Sequence, residues 1–204
     1  MIITIGREFG SGGKYIGERL AQELNMKLYD EELIERTSKE QNMDINIVNE
    51  NDEKHKQSFW YMLAMSSMSM YDSVNSLTDL PADDKTFIAE SKVIEEIAEE
   101  GNGIIIGRCS NVILKDRKDV VNVFIYSSDE KFKIERKVEF AGLDEKKAAK
   151  LMHKKDKERA IYYNYYTNKK WGARESYDLL VDSSKLGIEG TVELIKDYVR
   201  KLQK

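Results

Sequence analysis

The residues with the plainest chemical meaning lie near the start of the chain: Gly6-Arg-Glu-Phe-Gly10-Ser11-Gly12-Gly13-Lys14-Tyr15-Ile-Gly17. Glycines let a backbone adopt positive φ and bring its N–H groups up to an anion. A helix starting just beyond adds a partial positive charge, and Lys14 can add a full one. These are the requirements for holding a polyphosphate. The spacing departs from the standard phosphate-loop pattern. With Gly13-Lys14 as the Gly-Lys pair, Glu8 falls where the first glycine belongs, and Tyr15 where Ser or Thr would bind magnesium. With Gly10-Ser11-Gly12 as the centre, Gly13 takes the lysine position and Lys14 comes one place late. Two rivals stay open: a tight strand–helix turn with no ligand, and a dinucleotide fold. For the latter, Asp30 stands about 20 residues after Gly10, where a ribose-binding acid sits, but the third glycine of Gly-x-Gly-x-x-Gly would fall on Tyr15.

The elements that must position this loop alternate along the chain. Ile2–Ile5 reads as a buried strand, and Tyr15–Asn25 as a helix with Ile16, Leu20 and Leu24 at helical spacing. Lys27–Tyr29 is a second strand ending at Asp30, followed by a mostly helical stretch from Glu31 to about Ser73. Asp83–Glu100 is a helix stopped by Gly101. Gly103–Ile106 and Val120–Tyr126 are further strands, the latter leading into a helix at Ser127, where Ser127 and Glu130 have capping-box spacing. Asp144–Lys170 reads as an interrupted helix, Tyr177–Asp182 as a last strand and Ile188–Leu202 as a last helix. Such alternation argues for an α/β fold with a parallel sheet and helices on both faces. Ligands of such sheets bind at the carboxyl ends of strands. That rule picks out Gly10–Lys14, Asp30, Gly107-Arg108 and Asp182.

Composition narrows the class. Charged residues at 34% and the hydrophobic set at 41% are a globular balance. No apolar run is long enough to cross a bilayer, and the first residues do not read as a signal peptide. Cys109 is the only cysteine, which excludes an intrachain disulfide, and a cytoplasmic protein is expected. A net charge of −4 offers nucleic acid no bulk attraction. The only histidines, His55 and His153, lack neighbours at metal-ligand spacing, so zinc is not expected.

Several segments, in order, resemble the cytidylate kinase-like family, a divergent branch of the nucleoside monophosphate kinases. They are Ile3-Thr-Ile-Gly-Arg-Glu-Phe-Gly-Ser-Gly-Gly-Lys14, Leu28-Tyr-Asp-Glu-Glu-Leu-Ile34, Ile104-Ile-Ile-Gly-Arg-Cys-Ser-Asn111, Asp156-Lys-Glu-Arg159 with Tyr162-Tyr163, Tyr165-Tyr-Thr-Asn-Lys-Lys-Trp-Gly172 and Tyr177-Asp-Leu-Leu-Val-Asp-Ser-Ser184. The resemblance implies one domain over residues 1–204 with a three-layer α/β/α P-loop kinase fold and a five-stranded parallel sheet. It also implies a helical acceptor-side insertion at 31–80 and a lid at 143–172. ATP is the implied phosphate donor, with Mg2+, and a nucleotide such as CMP or dCMP, or a related small molecule, the implied acceptor.

Phosphoryl transfer is mainly positioning and charge neutralisation. Gly10, Ser11, Gly12, Gly13 and Lys14 would form the cradle, with Lys14 the cation on the phosphates. Arg108 would grip an acceptor phosphate bidentately, or else close a helix or a salt bridge. Asp30 would orient an acceptor or hold magnesium, or cap the helix that follows it. Lys155 and Arg159, four apart and so on one helical face, would belong to a lid whose arginine steadies transition-state charge; a solvated charged helix is the plainer alternative. Asp156 is three residues from Arg159 and could pair with it. Asp182 would contact nucleotide, or cap a helix or turn. The Met- and aromatic-rich Phe59–Met70 reads as core filler, or as an adaptable pocket wall or dimer face; Tyr162–Tyr166 and Trp171 read as packing. Two departures bear on catalysis. Ile106 stands where nucleotide kinases commonly carry an acid, and Tyr15 where the loop's magnesium ligand belongs. Magnesium would then fall to Ser11, Asp30, water and phosphate. A non-catalytic nucleotide sensor is therefore the alternative function, and an NAD(P)-dependent enzyme a third.

Overall fold

A computed structural model describes residues 1–30, 33, 82–142 and 144–202. In chain order the elements are β1 (Ile2–Arg7), α1 (Gly13–Leu24), β2 (Lys27–Tyr29), α2 (Ala82–Glu100), β3 (Gly103–Ile106), α3 (Ser110–Ile113), β4 (Val120–Tyr126), α4 (Glu130–Ala141), α5 (Glu145–Thr167), β5 (Leu179–Asp182) and α6 (Ser183–Leu202). A 3₁₀ turn, Arg174–Ser176, precedes β5. The five strands form one all-parallel sheet in the order β2-β3-β1-β4-β5. Apart from Leu33, the expected helix over 31–73, with Phe59–Met70, lies outside the described residues.

Strand alternation divides the sheet's two faces. Ile3, Ile5, Ile104, Ile106, Val123 and Ile125 pack with Ile16 and Leu20 of α1 and Val192, Ile195 and Val199 of α6. Ile2 and Ile105 instead meet Val93, Ile94, Ile97 and Ala98 of α2. A third cluster joins Phe87 of α2, Cys109 and Val112 around α3, and Tyr163 and Tyr166 of α5; Phe87 and Tyr166 stack at 4.0 Å between centroids. The result is the expected three-layer arrangement, with β1 in the centre of the sheet. Among the described residues no helix is long and apolar enough to cross a membrane.

Several boundaries differ from expectation for local reasons. The helix expected at Ser127 starts at Glu130, because the Asp129 carboxylate accepts from Lys131 N and Phe132 N and is its cap. Ser127 Oγ donates instead to the Asp129 carbonyl, at 2.8 Å. The helix expected to be interrupted is continuous over Glu145–Thr167, capped by Asp144 and free of Gly and Pro. The last helix begins at Ser183 and bends at Gly187, where φ is +68°.

Candidate functional site

The carboxyl end of β1 opens into the glycine loop. Gly10 and Gly12 have φ of +87° and +84°, and Gly12 caps α1. A side chain would not fit at either: a Cβ on Gly10 would stand 2.8 Å from Lys133 Cβ, and one on Gly12 would collide with Ile188. The loop is thus wedged between α1, α4 and α6. Ser11 is fully buried; its hydroxyl donates to the Glu8 carbonyl at 2.9 Å, and its own carbonyl accepts from Ser183 Oγ at 2.8 Å. That hydroxyl, a candidate metal ligand from sequence, braces the loop from inside. Glu8, in the place of the standard first glycine, accepts from Ser127 N at 3.1 Å and Lys133 Nζ at 3.0 Å, tying the loop to β4 and α4.

The helix α5 sits on this loop. Asp156 Oδ1 accepts the Phe9 N–H at 2.6 Å, and Arg159 Nη1 donates to the Arg7 carbonyl at 3.3 Å. The Arg159 guanidinium lies 5.7 Å from the Phe9 ring centroid and 3.8 Å from Asp156. Burial pushes the Asp156 carboxyl above the usual range, although the Phe9 N–H favours its charged form.

Two clefts meet here. One, of about 370 Å³, follows the loop along Gly10, Gly12, Gly13 and Lys14 and is also lined by Arg136. The other, of about 390 Å³, is lined by Gly107, Arg108, Asn111, Lys155, Tyr162 and Trp171. Arg7, Phe9 and Arg159 line both. The structure therefore gathers the loop, Arg108, Lys155 and Arg159 around one seam. Asp30 and Asp182 line neither cleft.

Lys14 Nζ is 2.9 Å from Asp30 Oδ2, and Asp30 Oδ1 accepts from Leu33 N at 3.1 Å. Asp30 thus caps the backbone after β2 and holds the loop lysine at once. Burial opposes its charge, but Lys14, the Leu33 N–H and the charge of Arg7 outweigh it and hold the carboxyl below its ordinary value. The ribose contact of a dinucleotide fold would need this same carboxylate.

Arg108 follows Gly107 in a run of three positive φ values, +80°, +54° and +57° through Cys109. Two non-glycine residues in that region are strained, a feature that concentrates at functional sites. Its guanidinium is 3.1 Å from Glu90, which is 1% exposed and also accepts from Tyr162 OH at 2.9 Å. Arg108 is thus both salt-bridged and at the cleft wall. Burial, then the Glu90 charge, pushes the Cys109 thiol upward, so it stays protonated. Lys155 reaches the cleft and pairs with Glu158 at 2.9 Å.

Asp182 takes its helix-capping alternative: Oδ1 accepts from Ser184 N at 3.0 Å, Ser184 Oγ at 2.6 Å and Ser128 N at 3.2 Å. Burial opposes its charge, yet these bonds bring its pKa down to about 2. Among the described residues no group of three His, Cys, Asp or Glu could hold a metal ion.

Sequence reasoning missed Arg7, Arg136 and Glu90. Arg7 lay within the quoted motif, yet nothing in its spacing marks it. Arg136 and Glu90 sit on helices among many charges, and only the packing of α4 and α2 selects them.

The chain matches no curated protein. The crystal structure of an uncharacterized protein from Eubacterium ventriosum ATCC 27560 is 29% identical, with a TM-score of 0.73 and 98% of each chain covered. Shikimate kinase from Bacteroides thetaiotaomicron is 13% identical with a TM-score of 0.54, again with 98% of each chain covered, a likeness of fold. The five-stranded parallel sheet with its helices is that of a P-loop kinase fold. The model of the cytidylate kinase-like family matches residues 2–185, and the chain belongs to that family.

Proposed function

We propose that the chain is an ATP-dependent phosphotransferase acting on a small acceptor, with CMP or dCMP the first candidates from the family it belongs to. The observation that carries the reading is the seam: a glycine loop built for phosphate and a second cationic, aromatic cleft share Arg7, Phe9 and Arg159. A donor held by one and an acceptor by the other would meet there, which is what in-line transfer requires. Gly10–Lys14 would hold the ATP phosphates, Lys14 turning from Asp30 to reach them. Arg159 would steady the developing charge, with Lys155 a further lid cation. Arg108 would anchor the acceptor, and Asp182 would keep the last strand's end in place beside the loop. Magnesium would ride on the phosphates and neutralise them, with Asp30 the carboxylate offered to it and Ser11 supporting the loop. The site suits a soluble nucleotide or metabolite better than a nucleic acid.

A second reading, a nucleotide sensor without turnover, draws on Tyr15 and Ile106 in the places of magnesium-binding groups and on Lys14 being engaged by Asp30. Calorimetry with ATP and ADP, each with and without Mg2+, followed by product analysis of the same samples with CMP present, separates the two. ATP binding with ADP and CDP formed supports the phosphotransferase. Tight binding with ATP recovered intact, across CMP and other small acceptors, supports the sensor. NAD(P) binding with no response to ATP would count against both.

A further inference from the structure

Arg7 is the last residue of the central strand, β1, and one of three residues shared by the two clefts. Its side chain runs between two glycines from different strand ends. A Cβ on Gly13 would stand 2.5 Å from Arg7 Cβ and 2.9 Å from Cγ, so the stem lies on the start of α1. A Cβ on Gly107 would collide with Nη1 and stand 3.3 Å from Cζ, so the fork lies on the turn after β3. These turns are adjacent, because β1 and β3 pair with Ile5 opposite Ile106. The Arg7 charge helps hold Asp30 ionised, and its carbonyl receives the lid arginine, Arg159, at 3.3 Å. One guanidinium thus stands where loop, lid, Asp30 and the Arg108 turn converge. Lys14, the loop's other cation, is 57% exposed and held at 2.9 Å by Asp30.

We infer that Arg7 is a catalytic residue that grips the phosphoryl group while it passes between the clefts; this rests on the phosphotransferase reading above. In that step the phosphorus–oxygen bond to ADP breaks, and its electron pair stays on ADP. The acceptor oxygen supplies the pair for the new bond, and any proton it carries passes to solvent. The transferring group spreads its charge over three equatorial oxygens, which a planar fork of N–H donors matches better than an ammonium does. Gly107 clears the space the fork occupies, and Gly13 the space of its stem.

The test is calorimetry of ADP with Mg2+ and CMP, with and without aluminium fluoride, which mimics the group in transfer. Wild type should bind ADP and bind it more tightly with the fluoride. Arg7→Met should keep ADP affinity within about 3-fold but weaken the fluoride complex by about 10²–10³-fold, the loss typical of a transition-state donor. Arg7→Lys, which keeps stem and charge, should weaken it by about 10-fold, and it decides the matter if Arg7→Met melts early. A fluoride complex as tight in these variants as in wild type overturns the role of Arg7 and leaves the phosphotransferase standing. Equal loss of ADP and of the complex also overturns it, since Arg7 would then serve the ground state or the fold alone. Wild type that binds no ADP, or whose binding fluoride does not change, overturns the inference together with the reading beneath it.

Discussion

Lys14 and Asp30 form an ion pair whose lysine is more than half exposed. Such pairs contribute about 0–1 kcal/mol. Asp30→Asn should therefore shift chemical denaturation by no more than about 1 kcal/mol, while turnover falls if Asp30 serves the reaction. Lys14→Ala should weaken ATP binding by calorimetry about 10- to 100-fold, the worth of a hydrogen bond to a charged group. Asp182 is the opposite case, a carboxylate bonded to Ser184 and Ser128. Its folded pKa, about 2, lies below the ordinary carboxylate value of about 4, so its contribution is complete above pH about 4 and lost as pH falls toward 2. Asp182→Ala should lower stability at pH 7 by about 1 kcal/mol, and the gap from wild type should close in that acid window. At this scale the glycine loop was legible in the chain because its signal is local. Arg7 was not, because its placement depends on Gly13 and Gly107, which come together only when β1 and β3 pair.

The helix α5 is joined to the glycine loop by two bonds from a single turn, one at Asp156 and one at Arg159. A loop amide that could face an anion is thus held by a carboxylate of α5. Asp156→Ala should leave the Phe9 amide exposed, and hydrogen exchange there should quicken at least about 10-fold, while exchange in β1 stays slow. Gly10→Ala tests the loop's fit against α4. A Cβ 2.8 Å from Lys133 Cβ at φ +87° must part loop from helix, so ATP affinity and melting temperature should fall together. The helices α1 and α2 were legible from apolar spacing, the short α3 was not foreseen, and helix ends were less legible. Ser127 and Glu130 carried the capping-box spacing, but Asp129 reaches two backbone N–H groups and starts the helix later. The continuity of α5 followed from its lack of Gly and Pro, which its charged composition obscured.

Across the whole molecule, the strand ends bring distant segments to one edge; the alternation of strands with helices foresaw a parallel sheet, and the family resemblance its five strands. Which polar residues converge on the seam was not legible, because α2, α4 and α5 are rich in charge and their inward faces emerge only on packing. Ile106 illustrates the coupling of core and site. It is 1% exposed and packs in the main core, with Gly17 leaving room for it. An acid there would be buried: Ile106→Asp should cost about 3 kcal/mol or more in chemical denaturation rather than supply a magnesium ligand. The kinase fold is thus kept with an apolar residue at this strand end, and under the proposed function magnesium would fall to other groups and to the donor's own phosphates. The most direct test of that arrangement is transfer of label from γ-labelled ATP with Mg2+ to a panel of nucleoside monophosphates and small hydroxylated metabolites, read against a Lys14→Ala/Arg159→Ala double variant. Label should appear on at least one acceptor with wild type and fall at least about 10³-fold with the double variant. Wild-type transfer no greater than the double variant's, on every acceptor, would contradict a phosphotransferase.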